Sequence, residues 1–89
     1  MFNNNIKIKD VKSEVGLLTK SFRKRDGLSQ QDLADKLDLS RFTIQNLESG
    51  KNFTIDTLLK VVQYFDLLAP LNELLVQKRN ENENLESLY

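Results

Sequence analysis

The residues of this 89-residue chain that could recognise something specific crowd into positions 28–51, LSQQDLADKLDLSRFTIQNLESGK. Arg41, Phe42, Thr43, Gln45 and Asn46 would share the outer side of one short helix there, a face of donors, acceptors and one ring. A helix is about 10–12 Å across and the DNA major groove about 12 Å wide, so such a face fits that groove. Catalysis has far less to work with. There is no Cys and no His, which excludes a Cys- or His-based zinc site, a cysteine nucleophile and a Ser-His-Asp triad. No pair of ionisable groups marks out a pocket, so an enzyme, a cofactor and a metal are not expected.

The elements that must carry this face are all predicted to be helices. Asp10 is placed to cap a first helix reaching about Arg25, with Val11, Val15, Leu18 and Phe22 at near-helical spacing. Asp26-Gly27 stops it, since glycine accepts the left-handed backbone of helix ends. Ser29 opens a second helix with a near capping box, and Leu33, Ala34 and Leu37 form its apolar side. Asp38-Leu39 make the turn, Ser40 caps a third helix over 41–49, and Gly50 closes it. Small Ala34 lets two steeply crossed helices touch, with Leu39 and Ile44 filling the wedge. Thr54 caps a fourth helix whose stripe is Ile55, Leu58, Leu59, Val62 and Phe65. Pro70 suits the first turn of a fifth, with Leu71, Leu74 and Leu75 on one side. The expectation is an all-α domain of five short helices over 10–76, with an N-terminal arm at 1–9 and a polar C-terminal tail at 77–89. Within the arm, Ile6-Lys7-Ile8-Lys9 reads as extended chain or an edge strand.

The segment resembles the helix-turn-helix of the Xre/lambda-repressor-like family. The carrying residues are Phe22-Arg23, Gly27-Leu28-Ser29-Gln30, Leu33-Ala34, Ile44, Leu47-Glu48-Ser49-Gly50-Lys51 and Thr57-Leu58-Leu59-Lys60-Val61. The similarity runs from about Val15 to Phe65 and more weakly to Leu75. Two positions depart from the pattern: Asp38 stands where glycine is usual, and Thr19 replaces a leucine of the first helix. The resemblance implies that Arg41, Phe42, Gln45 and Asn46 reach base edges, with Arg41 suited to guanine, Asn46 to adenine and Phe42 to a thymine methyl. It implies backbone phosphate contacts at Ser29, Gln30, Thr43 and Lys51, with Gln30 also bracing the recognition helix. It also implies a structural salt bridge between Arg23 and Glu48, which removes Arg23 from the DNA-contacting set.

Charge and length shape the functional expectation. The net charge is zero, 13 basic against 13 acidic groups, yet residues 1–28 hold seven basic and three acidic groups while 52–89 hold three and six. One face can therefore be positive although the whole is neutral. Lys7, Lys9 and Lys12 are either an arm touching phosphates or an ordinary charged end of chain. No apolar run approaches the roughly 18–20 residues of a bilayer span. With no signal-peptide pattern and no cysteine, a cytoplasmic protein is expected. The reading is a sequence-specific regulator of double-stranded DNA, a repressor binding a palindromic operator as a homodimer, with no room for an effector domain. The dimer contact is expected on the fifth helix, with the N-terminal segment as a further candidate; half of the leucine cluster (Leu67, Leu68, Leu71, Leu74, Leu75) would finish the core and half would bury against a second copy. One rival is an antitoxin that represses its own operon and binds a toxin through residues 76–89. The other is a protein-interaction module without DNA binding, favoured by zero net charge and by Asp32, Asp35 and Asp38.

Overall fold

The computed structural model describes residues 5–87, with side chains to residue 84. Five helices follow one another, α1 (Ile8–Arg25), α2 (Gln30–Leu37), α3 (Arg41–Glu48), α4 (Ile55–Tyr64) and α5 (Leu68–Ser87), and no strand occurs among the described residues. Leu33, Ala34, Ile44, Leu47, Val61 and Phe65 form the buried core. Val15, Phe22, Leu28, Leu37, Leu39, Phe53, Tyr64 and Leu67 close around it.

The helix starts follow side-chain chemistry. Ser29, Ser40 and Thr54 each accept a hydrogen bond from the N–H three residues on, satisfying a donor that has no partner within the helix. At Ser29 the exchange is reciprocal, because Asp32 Oδ2 accepts the Ser29 N–H at 2.9 Å. The helix ends share a single device. Gly27, Asp38, Gly50 and Asp66 all take left-handed backbone, with φ between 56° and 76°. In each case the next N–H bonds back to a carbonyl five residues earlier. In three of the four, that next residue is a leucine (Leu28, Leu39 or Leu67) pressed against the core. Those three turns thus stop a helix and plug the core in one move.

Four expectations need correction. α1 starts at Ile8, with Asp10 inside its first turn accepting the Lys7 N–H at 2.9 Å, so Ile8 and Lys9 are helix and not arm or strand. Residues 77–87, assigned to a polar tail, continue α5. Pairs one turn apart (Gln77–Glu81, Lys78–Glu81 and Arg79–Glu83) line that stretch and favour helix without any core contact. Two of the helices are accordingly long, at 18 and 20 residues. Last, the buried faces of α1 and α4 are turned from the apolar stripes. Gly16, Thr19 and Arg23 are the buried residues of α1, while Val11 and Leu18 are exposed. Thr57, Val61 and Val62 are those of α4, with Phe65 buried just past its end and Ile55 outside. Residues 1–4 of the expected arm, and Leu88 and Tyr89, lie outside the described residues.

Candidate nucleic-acid interface

α3 has two sides with different duties. Ile44 and Leu47 are fully buried and fasten it to the core. Opposite them, Arg41, Phe42 and Gln45 are exposed and Asn46 is half-buried. Phe42 leaves 67% of its surface to solvent, a large apolar ring set mostly outside the fold. These four are successive neighbours on a helix surface, so the structure brings together on one face the residues expected to reach base edges.

The four expected phosphate residues occupy less uniform settings. Ser29 is exposed, its hydroxyl accepting the Asp32 N–H at 3.0 Å at the start of α2. Thr43 is half-buried with its hydroxyl 2.9 Å from that of Ser40. Lys51 is exposed in the loop after α3. Gln30 is half-buried and its amide nitrogen donates to Glu48 Oε1 at 3.1 Å, binding the first turn of α2 to the last turn of α3.

That last contact belongs to a buried charged cluster. Arg23 Nε and Nη2 donate to the two oxygens of Glu48 at 2.6 and 2.8 Å, and Nη1 donates to the Leu28 carbonyl at 2.9 Å. The two side chains keep only 9% and 4% of their surface. The hydrogen bond to Glu48 raises the Arg23 pKa further above its ordinary value, against the burial that opposes the charge. The fork fits a carboxylate with two parallel bonds, which is the arrangement that makes such a pair tolerable away from water. Three helices meet at this point, with α1, α2 and α3 contributing Arg23, Gln30 and Glu48.

Gly16 sets how close α1 comes to α3. A Cβ at that position would stand 2.5 Å from the Glu48 carbonyl oxygen and 2.7 Å from that of Leu47, both backbone atoms. The sequence reading passed over Gly16, although a glycine inside a helical pattern is itself a sign of close backbone approach. It also passed over a hydrogen bond from Lys12 Nζ to Asn52 Oδ1 at 2.6 Å. No periodicity signals a pair forty positions apart.

A helix-turn-helix family model matches residues 20–69, more than half of the chain. The chain belongs to the Xre/lambda-repressor-like helix-turn-helix family. It is thus an all-α DNA-binding transcription regulator, and the match spans the whole of the α2–turn–α3 unit. No curated protein matches the chain. No helix among the described residues is long and apolar enough to cross a membrane.

Proposed function

We propose that this helix-turn-helix protein is a sequence-specific repressor that binds a palindromic operator as a homodimer, reading bases with Arg41, Phe42, Gln45 and Asn46. The observation that carries the reading is the division of α3. Its packing is met by Ile44, Leu47 and the Glu48 cluster, and its polar face is left uncovered. A guanidinium and a carboxamide at two of those positions are the groups that pair with guanine and adenine edges, each good pair worth about 1–3 kcal/mol of discrimination. Ser29, Gln30, Thr43 and Lys51 supply the phosphate contacts that set register and affinity. Repression by occupancy asks nothing more of the chain than this face and a second copy.

The second copy is supported by apolar surface away from α3. Leu74 and Leu75 are at least half exposed on α5. Beside them runs a groove of about 360 Å³ lined by Val11, Leu18, Leu58, Val62, Leu67 and Leu71. Contiguous apolar surface of this kind on a small domain marks an association site. One α3 reads only about four or five base pairs, and a twofold pair would set two such sites about 34 Å apart.

Selection of bound sites from a random duplex pool tests the reading. An inverted repeat with half-sites one helical turn apart, or a multiple of it, is expected. Enrichment of single, non-repeated sites would remove the dimer, and no enrichment would remove sequence-specific binding. The antitoxin reading is supported by one observation, the exposed stretch of α5 from Gln77 to Asn84, which is available to another protein. Co-purification of a second protein that is lost when this stretch is deleted would favour it.

A further inference from the structure

The start of α1 lies on the loop that follows α3, in a fixed register. Gly16 faces the Leu47 and Glu48 carbonyls, and Gly50 sits so that a Cβ there would touch Ser13, 3.4 Å from its Cα. One turn before Gly16, Lys12 reaches Asn52. Lys12 is half-buried and held in place, whereas Asn52 and its neighbour Lys51 are exposed. Lys9, three residues before Lys12 and so on the same face of α1, is exposed as well. Among the described residues none of Lys9, Lys12 and Lys51 forms a salt bridge with a carboxylate. Asp10, next to Lys9 in the chain, accepts the Lys7 N–H. An ammonium carries three donors, and the Asn52 oxygen takes one of the three on Lys12.

We infer that Lys12 and Asn52 form a phosphate-binding pair on the DNA backbone, just beyond the end of α3 and continuous with Lys51. The inference rests on the DNA-binding reading above and adds α1 to the contacting surface. Asn52 fixes the ammonium, whose remaining two donors meet a phosphate oxygen. With its oxygen occupied by Lys12, the Asn52 amide turns its NH₂ group to the same anion. A cation held on a helix loses less freedom on binding than a lysine at a free chain end, so the pair acts as a preformed contact.

The test measures affinity for random duplex DNA across about 50–200 mM salt for the wild-type chain, Lys12→Gln, Lys12→Arg, and Lys60→Gln on exposed α4 as a charge-matched control. Loss of one phosphate contact lowers the slope of log affinity against log salt by about 0.9 and weakens binding about fivefold near 0.15 M salt. Lys12→Gln is expected to show both changes, Lys12→Arg to keep the wild-type slope, and Lys60→Gln to alter the slope by less than half as much. Asn52→Asp, which gives Lys12 a carboxylate and repels the phosphate, is expected to weaken binding more than Lys12→Gln. Thermal melts of every variant within a few degrees of wild type keep the comparison to folded protein. If Lys12→Gln and Lys60→Gln behave alike while wild type binds DNA, the phosphate pair is overturned and the regulator reading stands. If wild type shows no salt-dependent binding, the reading itself falls and the pair with it.

Discussion

The two sides of α3 span the same eight residues yet follow opposite rules. On the inner side and at the C-terminal end, Ile44, Leu47 and Glu48 are enclosed, and Glu48 shares its two oxygens among Arg23 and Gln30. On the outer side, Arg41, Phe42 and Gln45 are exposed to solvent. The contrast shows how a domain this small keeps a recognition surface. Rigidity comes from behind, through three helices converging on one buried carboxylate, so the front can vary without loss of structure.

Substitutions on the two sides should therefore separate stability from binding. The largest effect is expected at Glu48. Glu48→Ala leaves the Arg23 guanidinium buried without its partner and should cost about 3–5 kcal/mol in a urea unfolding titration. A cost below about 1 kcal/mol would mean that water reaches the cluster. Gly16→Ala comes next. Alanine in an exposed helix interior is favoured over glycine by about 1 kcal/mol, but here its methyl would strike two backbone carbonyls and the sign should reverse. A net loss of about 1–3 kcal/mol is expected by the same titration, and a gain would show that α1 can move off α3.

Arg41→Ala and Asn46→Ala sharpen the other half of the contrast. Each should change unfolding free energy by less than about 0.5 kcal/mol. Competition between operator and scrambled duplex should lose about 1–3 kcal/mol of discrimination for each. Unfolding of either variant would place those side chains in the core.

The smallest effect lies at the start of α2. The Ser29 N–H, and then its hydroxyl, hold the Asp32 carboxyl below the ordinary carboxylate range. A carboxylate whose folded pKa is lowered adds stability above its unfolded pKa of about 3.9, and that stability disappears as pH falls through the lowered folded value. Asp32→Asn should therefore melt slightly lower than wild type at neutral pH. The two melting curves should converge in acid, and a constant offset down to the lowest pH would exclude the charge as the cause.

What could be read from the sequence was the chemistry that acts locally. Ser29, Ser40 and Thr54 cap as expected because a hydroxyl needs only the N–H three residues away. Asp38 turns left-handed where glycine is usual in the family, since a short polar side chain tolerates that backbone. The inward faces of α1 and α4 were harder, because an apolar stripe shows which residues prefer burial and not which the fold accommodates. Thr19 is fully buried with its hydroxyl donating to the Val15 carbonyl at 2.8 Å, so it belongs to the interior despite its polarity. Thr57 lies behind the Thr54 cap with their hydroxyls 3.1 Å apart; burial of Arg23 against Glu48, by contrast, follows from the family resemblance. At the interface, the outer face of α3 could be read because polar residues gather there without apolar interruption other than Phe42. The Lys12–Asn52 contact could not, since it depends on how α1 meets the loop after α3.

The fifth helix has a consequence for how the molecule loosens. Its 20 residues make a rod about 30 Å long, in a protein 52 Å in its longest dimension and 26 Å in the next. The outer half of that rod is held by hydrogen bonds along its own length and by side-chain pairs one turn apart, and a free helix of about ten residues is marginal in water. Opening is thus expected to begin at the far end of the rod and travel inward, with amide protons from Gln77 to Ser87 exchanging with solvent long before those of Ile44 and Leu47.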